Sequence, residues 1–306
     1  MAEVNKSKNQ SDNKKGIDWK KIATLRKEFK ENRENFKEVE VDVLSIKNSY
    51  IPYGNISVPI RIYTPFGKGP FPIMVYFHGG GFVLGDIDTV DNLCSYIAKK
   101  SERIVISVGY RLAPEHPFPA AINDAWAALQ WVHYNAHTFN GTNIDIAVAG
   151  DSAGGNLAAL TAIKARDSNL QIGSQWLFYP WLDFSHQSTS HDLYGESYNL
   201  TTKELEWFLS AYLPNTLNRD LPSVSPLKQS NLSHLPDAII LTAQFDPLHD
   251  DGKRYAKALK KAGNHVDYSI CIGMEHSFLN KTGEMKQAKE ALDQIARKLK
   301  ARDKDI

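Results

Sequence analysis

The sequence predicts an α/β fold, with a mostly parallel central sheet, helices on both faces and a helical cap at one end. Three observations carry this expectation. From residue 73 onward, short unbroken apolar runs alternate with segments of helical periodicity; a glycine-rich turn joins one run directly to a helix; and a single long polar stretch interrupts the alternation. Strands buried on both faces read as continuous apolar runs, and their strict alternation with helices implies parallel neighbours joined by right-handed crossovers.

The elements follow in order along the chain. Residues 1–16, rich in Lys, Asn and Ser, read as a disordered leader with little to bury. Residues 17–38 then place Ile22, Leu25, Phe29 and Phe36 on one face of an amphipathic helix that needs a partner surface. The alternating segments Val39 to Val43 and Val58 to Ile62 read as antiparallel strands at a sheet edge, each with one wet face. Six apolar runs follow, at 73–77, 104–108, 144–149, 175–179, 238–243 and 266–272, with helical segments near 89–100, 119–136, 153–166, 253–262 and 284–300. The last of these aligns Met285, Ala288, Leu292, Ile295 and Leu299 as a core-facing stripe. Residues 185–235 break the pattern; Leu205, Phe208, Leu209 and Tyr212 mark a short amphipathic helix within them. A long insertion between core strands sits at one end of the sheet and is usually functional, so this stretch and the 17–38 helix are expected to cap the core formed by 39–184 and 236–306.

Composition narrows the function classes. The 306 residues are 42% hydrophobic and 23% charged, enough to bury a core without metal or disulfide support. With 36 basic against 35 acidic side chains and no long block of one sign, there is no electrostatic footprint for nucleic acid or an anionic membrane. No secretory-type apolar run opens the sequence and no stretch of 18 apolar residues occurs later, which predicts a cytoplasmic protein without stable membrane insertion. Cys94 and Cys271 are expected as free thiols, and no His/Cys spacing of metal-ligand type is present, so neither metal nor cofactor is expected.

The chemistry concentrates at four places. Gly150-Asp151-Ser152-Ala153-Gly154-Gly155 lies between an apolar strand and a helix, the context a nucleophile elbow requires. A G-x-S-x-G arises by chance in about one chain in ten of this length, so the strand–turn–helix setting is what gives it weight. The helix beginning after Ser152 offers free amides and a positive dipole end to a developing oxyanion. His78-Gly79-Gly80-Gly81-Phe82 follows the strand at 73–77, and its bare backbone can aim amides at negative charge; a flexible surface turn is the plainer reading. A serine hydroxyl needs a base, and the chain order serine, acid, histidine at successive strand ends selects Asp246 and His276. His249, at a helix start, and His265, ahead of its strand, fit less well; Asp250 and Asp251 read as charges capping that helix.

Together with Tyr110-Arg111-Leu112-Ala113-Pro114-Glu115-His116-Pro117-Phe118-Pro119, Asp246-Pro247-Leu248-His249-Asp250 and Glu275-His276-Ser277-Phe278, these motifs resemble the hormone-sensitive-lipase-like carboxylesterases of the α/β-hydrolase superfamily, over roughly residues 40–300. His249 departs from the family, which commonly has arginine there. The resemblance implies an oxyanion hole formed by the amides of Gly80, Gly81 and Ala153, a preference for short to medium acyl chains, and homodimers as a common assembly. The expected activity is hydrolysis of a small-molecule ester, with Ser152 as nucleophile, His276 as general base and Asp246 orienting it. An amidase or peptidase sharing the triad, a triglyceride lipase and a non-catalytic ligand-binding module are the alternatives the sequence leaves open.

Overall fold

The computed structural model describes residues 19–36 and 39–302. The proposed leader at 1–16 lies outside them, as do residues 17, 18, 37 and 38 of the first predicted helix.

Eight strands form one sheet in the order β1-β2-β4-β3-β5-β6-β7-β8. They are β1 (Ser45–Tyr53), β2 (Ile56–Thr64), β3 (Phe71–Phe77), β4 (Ile104–Val108), β5 (Gly141–Asp151), β6 (Ser174–Phe178), β7 (Asp237–Phe245) and β8 (Val266–Glu275). β2 is antiparallel to both β1 and β4, and every other neighbouring pair is parallel. The six apolar runs therefore form the parallel part of the sheet, as their sequence predicts. Strand alternation splits the core in two: Ile73, Val75 and Phe77 face one apolar cluster, while Met74 and Tyr76 face the other. The helices α3 (Ala120–Asn135), α4 (Ala153–Asp167) and α7 (His249–Lys261) cover the first face through Leu129, Leu157 and Leu259. α2 (Asp91–Ser101) and α8 (Lys286–Arg302) cover the second through Ile97, Leu292 and Ile295.

One expectation needs correcting. Residues 39–43 form no strand; the first strand is Ser45–Tyr53, which pairs with β2 across a turn at residues 54 and 55. Val39, Val41 and Val43 do point inward, packing on the second cluster, which accounts for their alternation. β1 is an edge strand exposed along most of its length, with Ile51 alone buried in the first cluster, so no hydrophobic alternation announces it.

The amino-terminal helix α1 (Trp19–Glu34) buries Ile22 and rests Leu25 and Phe29 on the first core cluster. Phe36 lies beyond its end, with the Arg33 guanidinium 5.7 Å from its ring centre. The 185–235 stretch carries α5 (Thr189–Tyr194) and α6 (Thr202–Tyr212), the latter begun by a capping box in which Thr201 and Glu204 satisfy each other's amides. Leu205, Leu209 and Tyr212 of α6 are buried in the first cluster. Among the described residues no helix is long and apolar enough to cross a membrane.

Candidate active site

Ser152 follows the last residue of β5 and precedes α4, and its backbone takes φ 55° and ψ −118°. A non-glycine residue with such angles carries strain of about 1–3 kcal/mol, so the surroundings must enforce it. They do so by close backbone packing. A Cβ at Gly154 would stand 1.9 Å from the Phe77 carbonyl oxygen, and one at Gly150 would stand 2.3 Å from that of Gly154. Only hydrogen fits at both positions, which is the physical content of the glycines flanking the serine. The Ser152 amide donates to the Phe178 carbonyl (2.9 Å), fixing the turn to the end of β6.

The two partners arrive from the next parallel strand ends. Asp246 follows β7 and His276 follows β8, and the pairing of these strands shifts register between Ala243 and Phe245. Such an irregularity bends the strand and re-aims the residues after it. His276 Nε2 lies 2.9 Å from Ser152 Oγ, and His276 Nδ1 lies 2.7 Å from Asp246 Oδ2. The other Asp246 oxygen accepts the Leu248 amide at 2.8 Å. With a carboxylate at Nδ1, that nitrogen carries the hydrogen, which leaves Nε2 as an acceptor for the serine O–H. All three residues are enclosed, at 6%, 0% and 6% exposure for Ser152, Asp246 and His276, so no bulk water competes for these bonds. The Tyr179 ring packs edge-on to the imidazole at 5.0 Å, and Asn199 from the insertion donates to the His276 carbonyl at 3.0 Å.

The glycine run after β3 forms a tight turn in which Gly80, Gly81 and Phe82 all have positive φ (117°, 62° and 64°). Val83 and Leu84 both donate to the Gly80 carbonyl. Asp151, whose role the motif alone did not reveal, anchors the start of the turn: its buried Oδ1 accepts from the Gly79 amide and from the Tyr76 hydroxyl, each at 2.9 Å. His78 braces it from behind, its Nδ1–H on the Gly79 carbonyl (2.8 Å) and its ring stacked on Tyr110 at 4.3 Å. Burial pushes the His78 imidazole below the usual histidine range, so it stays neutral in this role. The amides of Gly80, Gly81 and Ala153 have no hydrogen-bond partner among the described residues; Ala153 adjoins Ser152 at the amino end of α4, and the glycine turn is tied to the residue before the serine through Gly79 and Asp151. Phe208 of α6 lies flat against Gly81, where a Cβ would come within 2.2 Å of its ring, and Tyr212 stacks on Phe82 at 3.9 Å. No hydrophobic pattern could foretell that α6 rests on the glycine turn.

Two sequence readings gain their physical detail here. His249, where the resemblance favours arginine, sits at the start of α7 and its Nδ1 meets the Ala243 carbonyl at 2.8 Å, a local structural contact away from Ser152. Asp250 and Asp251 lie in the first turn of α7, where their charges meet its amino end as expected, while their side-chain hydrogen bonds go elsewhere. Asp250 accepts the Ser190 amide at 3.0 Å, and Asp251 accepts the amides of Leu182 (2.8 Å) and Asp183 (3.0 Å), where the chain leaves β6 for the insertion. Burial, with the Asp183 carboxylate adding to it, pushes the Asp251 carboxyl up to about 7. Arg103 and Asp145, a buried ion pair, lie at the opposite end of the sheet and belong to the framework. Cys94, buried, and Cys271, half-buried, are free thiols.

A carboxylate, an imidazole and a serine hydroxyl in one hydrogen-bonded line, on a layered α/β sheet, are the arrangement that nucleophilic serine chemistry requires. The chain belongs to the alpha/beta hydrolase fold family, whose pattern matches residues 74–280. It is similar to the carboxylic ester hydrolase LipN of Mycobacterium tuberculosis, 43% identical over 79% of this chain and 66% of that one, so it spans just under two thirds of that relative. It is 41% identical to the carboxylesterase NlhH of the same organism, over 78% of this chain and 76% of the other. Among solved structures, a hyperthermophilic esterase from Pyrobaculum calidifontis superposes with a TM-score of 0.87 at 37% identity, covering 92% of this chain and 93% of that one.

Proposed function

We propose that this protein hydrolyses carboxylic esters of short to medium acyl chain through an acyl-enzyme, with Ser152 as nucleophile, His276 as general base and Asp246 orienting it. One observation carries the reading: the unbroken line from Ser152 Oγ through His276 to Asp246, with links of 2.9 and 2.7 Å. As Ser152 attacks the ester carbonyl, His276 Nε2 takes its proton, and Asp246 holds the imidazole in the tautomer that can accept it while stabilising the imidazolium. The carbonyl oxygen gains negative charge and is met by the amides of Gly80, Gly81 and Ala153. These need no reorganisation at that moment, because the turn is already braced by Asp151 and His78. His276 then protonates the departing alcohol and activates the water that releases the acid. α1 and residues 185–235 act as the cap that encloses the site, consistent with Phe208 lying over Gly81. The names of the relatives support ester rather than amide bonds as the target. A cytoplasmic location and a homodimer belong to this reading as expectations from the sequence.

The test is direct. Ser152→Ala is expected to keep the fold, by circular dichroism and melting temperature, while abolishing hydrolysis of p-nitrophenyl acetate; turnover near wild type refutes the assignment. A series of nitrophenyl esters from acetate to palmitate, with an anilide alongside, reads out acyl length and bond type.

A further inference from the structure

Turns that present amides to a ligand must have their carbonyls held elsewhere, or the loop can rotate and withdraw the donors. In the turn after β3 the carbonyls of Gly79, Gly80, Phe82 and Val83 meet this requirement, each in a different way. The Gly79 carbonyl receives His78 Nδ1, that of Gly80 receives the amides of Val83 and Leu84, and that of Phe82 receives the Ala113 amide. The carbonyl of Val83 is taken by a side chain from far away in sequence: Arg26 Nε on α1 donates to it at 2.8 Å.

The rest of that guanidinium is equally committed. Nη2 donates to the Ala113 carbonyl at 2.9 Å, and Nη1 and Nη2 grip the two oxygens of Glu115 at 2.7 Å each. Arg26 thus ties three things at once: the amino-terminal helix, the glycine turn at Val83, and the 113–115 segment, whose Ala113 amide in turn holds Phe82. The planar fork of arginine is needed for this, since an ammonium cannot serve two carbonyls and a bidentate carboxylate in one plane. Burial alone would raise the Glu115 carboxyl, yet the bonds from Arg26 hold it below the usual range, so the clamp stays charged across the pH range of an assay.

We propose that Arg26 is a positioning residue for ester hydrolysis, locking the glycine turn so that the Gly80 and Gly81 amides stay aimed at the oxyanion. The proposal rests on the esterase reading above. Arg26 touches no reacting atom; it acts through the Val83 carbonyl, so its loss should weaken transition-state stabilisation and spare ground-state binding. A misplacement of about 1 Å at such a site costs up to about a hundredfold in rate.

The experiment compares wild type with Arg26→Gln, Arg26→Lys and Glu115→Gln in the full chain. It measures kcat and KM for p-nitrophenyl acetate and Ki for a trifluoromethyl ketone, whose adduct with Ser152 carries an oxyanion. For Arg26→Gln the expected result is a kcat lowered about ten- to a hundredfold, KM changed by less than about threefold, and Ki weakened by the same factor as kcat. Arg26→Lys and Glu115→Gln should fall between it and wild type. A folded Arg26→Gln with wild-type kcat, or one altered in KM with an unchanged Ki, overturns the proposal. Should Arg26→Gln fail to fold, Arg26→Lys decides in its place: an unchanged kcat and Ki overturn the proposal, and a parallel fall in both supports it. Wild-type protein inert to every ester would overturn the esterase reading itself, which the variants do not test.

Discussion

Substituting Gly81 by alanine tests whether the insertion and the glycine turn form one mechanical unit. The new Cβ would lie 2.2, 2.4 and 2.6 Å from Cγ, Cδ1 and Cδ2 of Phe208. These atoms are the root of the ring, so a small rotation cannot relieve the overlap; either Phe208 leaves or α6 and the turn separate. Two costs add: about 1–2 kcal/mol for an L side chain at the Gly81 φ of 62°, and about 1–3 kcal/mol for overpacking. Phe208→Ala alone, at a half-buried position, should cost less than the about 3–5 kcal/mol of a fully buried phenylalanine. In the double variant the overlap vanishes and only the backbone strain remains. The two substitutions are therefore expected to be non-additive by about 1–3 kcal/mol in urea unfolding. The kcat for p-nitrophenyl acetate, low in Gly81→Ala, should recover in part when Phe208 is also removed. Independent sites add to within about 0.5 kcal/mol, so additivity at that level in stability, with no recovery of kcat, would refute the contact and the cap it implies.

Further expectations follow from the same geometry. Asp246→Asn should leave the melting temperature close to wild type but lower kcat by roughly ten thousandfold, because an amide at Nδ1 no longer dictates the tautomer that His276 needs; a loss below tenfold in nitrophenyl ester assays would count against the role of Asp246. Asp251 has its carboxyl raised from 3.8 to about 7, so over that window the folded chain holds a proton that the unfolded chain has released. Stability should therefore fall as pH rises from about 4 to about 7, by an amount on the order of 4 kcal/mol at most, and Asp251→Asn should remove this contribution. Urea midpoints measured across that window check it, and equal slopes for the two proteins would rule it out. Gly154→Ala places a methyl 1.9 Å from the Phe77 carbonyl oxygen, a backbone atom with no freedom to yield, and should destabilise by about 3 kcal/mol or more with loss of turnover; a soluble, active variant would contradict the packing of the elbow.

Much of this protein is determined by local chemistry, and that part is legible in the sequence. Short continuous apolar runs between turns and helical segments read as strands, so β3 to β8 appear where their runs predict, although β8, at the sheet edge, buries only Val266 and Met274 where its run predicts burial on both faces. The serine elbow is legible because its strained backbone demands small residues on either side, and Asp246 and His276 because a parallel sheet delivers successive strand ends to the same edge. Edge strand β1 is not legible, since a strand that buries a single residue, Ile51, has too little burial to set a pattern, and the valines at 39, 41 and 43 alternate for a packing reason without joining the sheet. Only the tertiary structure decides which distant groups meet. Asp151 on the Gly79 amide, Arg26 on the Val83 carbonyl, Phe208 against Gly81 and Asp251 on the amides of Leu182 and Asp183 are contacts across 72, 57, 127 and 69 or 68 residues of chain, respectively, the third being the difference between positions 208 and 81. Residue type alone cannot specify such partners, because a carboxylate, a guanidinium or an aromatic ring has many equivalent mates in the chain, and it is the docking of one layer on another that selects among them.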